Sequence, residues 1–123
     1  MKTKFYRITY GCGCGENEDF ITAENYDNAI LYAYESAVED YHSYEGYHGI
    51  PDIYDIADEM FNMEYNDLSE DEKTAVEDEY EQTIESWIDY SAEEISAEEY
   101  CEETGRTLDW VNSLIWFFKK FMV

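Results

Sequence analysis

Residues 68–103 read LSEDEKTAVEDEYEQTIESWIDYSAEEISAEEYCEE, and the predicted fold is organised around this segment. It contains 15 of the 31 acidic residues of the chain and one base, Lys73. Ser69 and Glu72 match a capping box, in which a hydroxyl and a carboxylate accept backbone N–H groups at a helix start. We therefore expect one long helix over residues 69–90. The following side chains recur at helical spacing and define its largely apolar face: Val76, Tyr80, Ile84, Trp87 and Ser91.

The outer face of this predicted helix is acidic. It carries Glu70, Asp71, Glu72, Glu77, Asp78, Glu79, Glu81, Glu85 and Asp89. Over roughly 33 Å of helix, these acids less Lys73 give about one net charge every 4 Å, whereas one DNA strand carries a phosphate every ~3.4 Å. All of them except Glu79 are candidate partner-binding residues, because such a rod fits a protein groove built for nucleic acid. The alternative is a solvated face that keeps the protein soluble.

The overall charge indicates a protein partner. The chain has 123 residues, which predicts a single domain over residues 1–123, and its net charge is −24. A hydrophobic content of 45% with 18% aromatic residues is sufficient for a folded core, unlike that of disordered acidic chains. Nucleic-acid phosphates and anionic membranes would be repelled by this charge, so we expect direct binding to neither.

The sequence predicts a cytoplasmic location. The N-terminal residues KTKFYRITYG contain no apolar signal region. The apolar C-terminal residues 110–123 are too few to span a bilayer and include Lys119 and Lys120. Three cysteines, an odd number, in a chain without a visible signal are typical of a reducing cytosol.

The pattern along the chain predicts an α+β fold that is mostly helical. We expect strands over residues 4–10 and 19–23, helices over 27–42, 51–63 and 69–90, a short helix capped by Ser96 and Glu99, and a final helix from about residue 107. Expected buried side chains are Tyr26, Ile30, Ala33, Ala37 and Tyr41 on the first helix and Ile53, Ile56, Met60 and Met63 on the second. A two-stranded hairpin is marginal alone, so the N-terminal β-hairpin should pack on about four to five helices.

A cluster of cysteine and histidine residues predicts a structural zinc site. Cys12 and Cys14 stand in the glycine-rich turn GCGCG, and His42 and His48 are separated by five residues, within the H-x₃₋₅-H spacing of zinc ligands. Cys101 is an alternative fourth ligand in place of one histidine. Thiolate and imidazole donors favour zinc over calcium or magnesium. The alternative is that the cysteines are free thiols and the histidines are surface residues.

No pattern in the sequence predicts an enzyme. The chain contains no phosphate-binding G-x-x-x-x-G-K-[ST] loop, no dinucleotide fingerprint and no G-x-S-x-G elbow. A D-x-[DN]-x-[DN]-G calcium loop is also missing. The 13 tyrosines instead favour an interface, because tyrosine gives rigid amphipathic contact area at low entropic cost. Several of them are alternatively core residues with hydroxyls at the rim.

Small size, extreme acidity, abundant tyrosine and the lack of a catalytic motif resemble small acidic phage anti-CRISPR proteins that inhibit type II-A Cas9 effectors, and other DNA-mimic anti-defence proteins. The resemblance is of general character across the chain. That class shares no common motif, so no functional residue carries over from it. It implies binding to a large nucleoprotein whose basic channels hold DNA, with acidic helices preventing target-DNA loading.

Two further functions remain open on the sequence alone. One is a zinc-stabilised acidic adaptor that binds a basic host protein unrelated to defence. The other is a small metalloenzyme. Capture of a guide-loaded Cas9 separates the inhibitor from the adaptor, and an activity lost on metal removal with the fold retained identifies the enzyme.

Overall fold

The computed structural model of this chain describes residues 3–13, 15–47 and 49–106. These residues form strands β1 (Lys4–Gly11), β2 (Glu16–Ala23) and β3 (Asp89–Ile95) and helices α1 (Tyr26–Tyr44), α2 (Ile53–Phe61), α3 (Glu70–Trp87) and α4 (Ala97–Thr104). A single 3-10 turn, Tyr65–Asp67, precedes α3. The final helix predicted from about residue 107 lies outside the described residues.

The sheet has three antiparallel strands in the order β2-β1-β3. β1 is central: Phe5 pairs with Thr22 of β2 on one side and with Ile95 of β3 on the other. The predicted fold, a two-stranded hairpin packed on four to five helices, was therefore wrong, although strands β1 and β2 and the α+β character were foreseen. Residues 89–95 add a third strand because β1 offers them a full row of unpaired backbone groups.

The long acidic helix is shorter than predicted. It ends at Trp87, and Ile88 is extended at the C-cap. Ser91, expected on the apolar helix stripe, instead faces Thr9 across the sheet. DYSAEEI contains one β-branched residue, so pairing with β1 rather than intrinsic strand preference decides its conformation.

One face of the sheet is covered by α1. Tyr6 and Ile8 of β1 pack against Ala29 and Ala33, and all four are buried. The four-residue spacing of the alanines places them on one side of α1, where their small side chains allow a close approach to the strands. Tyr26, which was expected to be buried, is 52% exposed, since the buried stripe of α1 begins at Ala29.

The opposite face of the sheet is partly covered by α4. Phe5 contacts Tyr100 with ring centroids 4.9 Å apart. Next to it, Arg7 places Nη2 2.9 Å from the Glu99 carboxylate and lies near two further glutamates, Glu18 and Glu93. Arg7 is thus surrounded by acids from three elements, which ties β2, β3 and α4 to the central strand.

A second helical layer is formed by α2 and α3. Ile56 and Ala57 of α2 are buried against Leu68 and Val76. The expected burial of Met60 and Met63 was wrong: they are 41% and 42% exposed. For Met63 the cause is that α2 ends at Phe61, and the left-handed Asn62 turns the chain away before it.

Candidate functional site

The start of α3 is fixed by the predicted capping box. Ser69 Oγ accepts the backbone N–H of Glu72, and the Glu72 carboxylate accepts the backbone N–H of Ser69 at 3.0 Å. The latter bond holds the pKa of Glu72 below its ordinary value. Glu72, one of the candidate partner-binding residues, is therefore engaged in holding the helix end.

Most of the candidate partner-binding residues share one side of α3. At 3.6 residues per turn, six of them fall within a sector of roughly 120°. We call these six exposed residues the acidic face: Glu70, Asp71, Glu77, Asp78, Glu81 and Glu85. The structure does not place Glu72 or Asp89 with them, since Glu72 points around the helix and Asp89 opens β3 opposite Gly11.

The acidic face is not neutralised by bases within the described residues. None of its six carboxylates forms an ion pair there with lysine or arginine, whose pairs involve Lys4 and Arg7 on β1. Lys73, the base on α3, lies with its ammonium 5.6 Å from the centre of the Tyr65 ring. The negative potential of this side of α3 therefore extends into solvent.

A groove runs between α1 and α3 beside the acidic face. It encloses about 980 Å³. Its apolar lining comes from three helices, with Val38 on α1, Ile53 on α2 and Ile84 on α3. Four residues of the acidic face also line it: Glu77, Asp78, Glu81 and Glu85. The groove thus joins an apolar floor to a rim of carboxylates.

Tyrosine hydroxyls orient two of the rim carboxylates. Tyr34 on α1 donates to Oε1 of Glu85 at 2.5 Å, and Tyr65 donates to Oε1 of Glu77 at 2.7 Å. The bond to Glu85 raises the pKa of Tyr34, because the carboxylate favours the protonated phenol. Both carboxylates are therefore held in place before any partner arrives. Sequence reasoning missed these contacts, and the only signal for them was the excess of tyrosine.

Two of the residues that line the groove, His42 and Tyr80, form a polar cluster with Glu45. Tyr80 donates to the carboxylate of Glu45 and lies 3.2 Å from Nδ1 of His42. His42 Nδ1 is also 3.4 Å from Oε2 of Glu45. Burial, together with the bond to Glu45, raises the pKa of Tyr80. The cluster connects the end of α1 to the middle of α3 and leaves only Nε2 of His42 for a metal.

The predicted zinc ligands are only partly covered by the structure, since Cys14 and His48 lie outside the described residues. Cys12 is buried among Ala37, Tyr41 and Ile50. Cys101 packs beside Phe5 at the other end of β1. Phe5 lies six residues before Gly11, the neighbour of Cys12 in the chain, so Phe5 and Gly11 are about 20 Å apart at ~3.3 Å per residue.

Two thiolates on one zinc ion lie within about 5 Å of each other, because each Zn–S bond is ~2.3 Å. Cys12 and Cys101 therefore do not share one ion in this structure. Within residues 3–13, 15–47 and 49–106, no group of three or more histidine, cysteine or acidic side chains is arranged to hold a metal. The zinc site of Cys12, Cys14, His42 and His48 stays a prediction.

We expect protein purified without added zinc to contain about one zinc ion per chain, because a thiolate–imidazole site binds structural zinc tightly. Replacing Cys12 and Cys14 together with serine should release the metal and lower the melting temperature, since binding free energy becomes folding free energy. Cys101→Ser is the matched control and should keep the metal. A metal content near zero, with a chelator leaving the melting temperature unchanged, contradicts the prediction.

Comparisons of the chain with known protein families, with curated proteins and with solved structures each found no match. Function therefore has to be argued from the surface itself. Among the helices formed by the described residues, none combines the length and the apolar composition needed to cross a membrane.

Proposed function

We propose that this protein is an acidic, phage-type anti-defence protein that binds a Cas9-type effector in the host cytoplasm and blocks the loading of target DNA. The observation that carries this proposal is the acidic face of α3, whose six exposed carboxylates have no lysine or arginine partner among the described residues. The protein acts by binding and not by catalysis.

The charge spacing on α3 supports mimicry of a nucleic-acid strand. The helix has 18 residues and is therefore about 27 Å long at ~1.5 Å per residue. Eight acids less Lys73 leave seven net negative charges, or about one every 4 Å. A DNA strand carries one phosphate every ~3.4 Å along the helix axis, so a basic groove meets a similar charge density on either ligand.

The rigidity of this surface also supports the proposal. α3 is fixed at its start by the capping box of Ser69 and Glu72 and packs through Val76 against α2. A charged surface that is ordered before binding loses less conformational entropy on association than a flexible acidic tail. Complementary charge further accelerates the encounter with a basic channel.

The effector offers a suitable surface for such a ligand. Cas9-type proteins hold the guide–target heteroduplex in a positively charged channel and read the adjacent motif with arginines. Occupation of either surface by the acidic face would exclude target DNA without any contact between this protein and DNA.

The order of addition in a DNA-loading assay tests this mechanism. Protein added to a guide-loaded effector before target DNA is expected to prevent formation of the ternary complex, whereas protein added afterwards has little effect, because the channel is then occupied. Inhibition should weaken steeply between low and high salt, since exposed charges are screened. A mobility-shift gel with labelled DNA measures both.

The same assay gives the result that would reject the proposal. If DNA loading is equal for both orders of addition with the protein in excess, the protein does not compete with DNA for the channel. Mass spectrometry of partners that co-purify with the protein then decides for the adaptor if a basic host protein unrelated to defence is captured.

A further inference from the structure

The groove between α1 and α3 has the features of a docking site for a helix. We infer that it receives an amphipathic helix of the partner protein that carries arginine or lysine at every fourth position and apolar side chains on the adjacent stripe. This inference rests on the proposed function, since the groove would anchor the same interface, but it concerns a different and more specific contact.

The carboxylates on the groove rim set the spacing of the cations. Glu77, Glu81 and Glu85 follow one another at four-residue intervals along α3. Successive members are therefore about 6 Å apart along the axis, at ~1.5 Å per residue. A helix lying alongside α3 with basic residues at i, i+4 and i+8 has the same repeat, so three charge pairs form in register.

The floor of the groove supplies the apolar half of the contact. Val38, Ile53 and Ile84 come from three different helices and lie next to the carboxylate rim. Helix-in-groove recognition uses apolar anchors at i+3 or i+4 spacing on the entering helix. The aliphatic stems of arginine and lysine add to this contact while their charged ends reach the rim.

Two other occupants of the groove are the C-terminal residues of this chain and a second copy of the protein. Charge complementarity favours a helix of another protein over both. Residues 107–123 are largely apolar, but their bases, Lys119 and Lys120, are adjacent and cannot follow the four-residue repeat of the rim. A second copy of the chain also carries a net charge of −24 and would be repelled.

Binding of a designed peptide to the full chain tests the inference. The probe is an alanine-based helical peptide with arginine at every fourth position and leucine three positions after each arginine. Its matched control has the same composition, with the arginines distributed around the helix. We expect the first peptide to bind at least about tenfold more tightly in fluorescence anisotropy, because only its charges meet the rim in register.

Two single substitutions on α3 locate the binding site. Glu81→Lys lies in the middle of the rim, whereas Glu79→Lys changes another exposed residue, outside the groove, and each brings the net charge from −24 to −22. Glu81→Lys should weaken binding of the in-register peptide about tenfold, and Glu79→Lys should have little effect. Equal effects of both substitutions, or equal affinity for both peptides, overturn the inference.

A photo-crosslinking residue in place of Val38 tests the other occupants. In the absence of peptide, a cross-link to residues 107–123 or to a second copy assigns the groove to that occupant and overturns the inference. A cross-link to the in-register peptide supports it. The outcome is distinct from that of the proposed function: inhibition of the effector by the unaltered protein, together with equal affinity for the two peptides, keeps the function and rejects the groove. Binding of the in-register peptide without binding of the effector does the reverse.

Discussion

If the proposed function is correct, reversal of Glu77, Asp78, Glu81 and Glu85 to lysine together is expected to abolish inhibition of the effector, with binding weakened at least about 100-fold. Four exposed carboxylates on one side of α3 become four cations, and the net charge changes from −24 to −16. Repulsion then replaces attraction where the basic channel meets the helix. Surface-plasmon measurements of affinity and a DNA-loading assay with the variant check this result.

The control variant has the same change in charge at another place. Glu59, Glu64, Glu98 and Glu102 are exposed and lie outside both the acidic face and the groove, and their reversal to lysine also gives a net charge of −16. This variant should retain most of its affinity. Equal losses for the two variants would show that total charge, and not the acidic face, determines binding. Circular dichroism establishes that both variants keep their helices.

Replacing Ile8 with alanine is expected to lower the free energy of unfolding by about 2–5 kcal/mol. Ile8 is completely buried between the central strand and the alanines of α1. The substitution leaves a cavity next to Ala29 and Ala33. These two residues cannot fill it, because the methyl group of alanine has no rotamer that would reach into the space. Urea denaturation measures the change as a lower midpoint with an unchanged slope.

The adjacent residue gives a matched control for Ile8. Thr9 points to the other face of β1, where its hydroxyl bonds that of Ser91. Thr9→Val keeps the β-branched shape and removes only this hydrogen bond, so the expected cost is about 1 kcal/mol or less. A larger loss for Thr9→Val than for Ile8→Ala would mean that α1 does not cover the face of the sheet on which Ile8 lies.

Local signals in the sequence predicted several elements of this fold well. The hairpin of β1 and β2, the capped start of α3 and the start of α4 at Ser96 all depend on residues close together in the chain. The capping oxygen of Ser69, for example, needs only a backbone N–H three residues away. Such contacts can be read from spacing.

The third strand could not be predicted in this way. β3 continues directly from an acidic helix, and its one buried side chain is Ile95. Its conformation is stabilised by pairing with β1, whose partner residues precede it by 78 to 90 positions. In the sequence, the helical spacing of side chains up to Ser91 is therefore a stronger signal than the weak strand pattern of residues 89–95. Only the pairing with β1 in the folded protein favours the strand.

The sequence predicted that one side of α3 is acidic, but it did not predict the full set of residues on that side. The periodicity of α3 was sufficient to bring Glu77, Asp78, Glu81 and Glu85 to one side. It could not show that Glu72 caps the helix with its carboxylate or that the chain turns into a strand at Asp89. The groove was not foreseen at all, because its opposite wall comes from α1, more than 30 residues away in sequence.

The central position of β1 has a consequence for how the protein is made. On the ribosome, β2 follows β1 after four residues, but 77 residues (12–88) separate Gly11 from Asp89 of β3. Synthesis at ~5–20 residues per second takes roughly 4 to 15 seconds over that interval, while a hairpin forms in about microseconds. The edge of β1 that later pairs with β3 is therefore left unpaired for seconds in each nascent chain. Most of the chain's negative charge emerges during this interval, and its repulsion keeps neighbouring nascent chains from pairing at that edge.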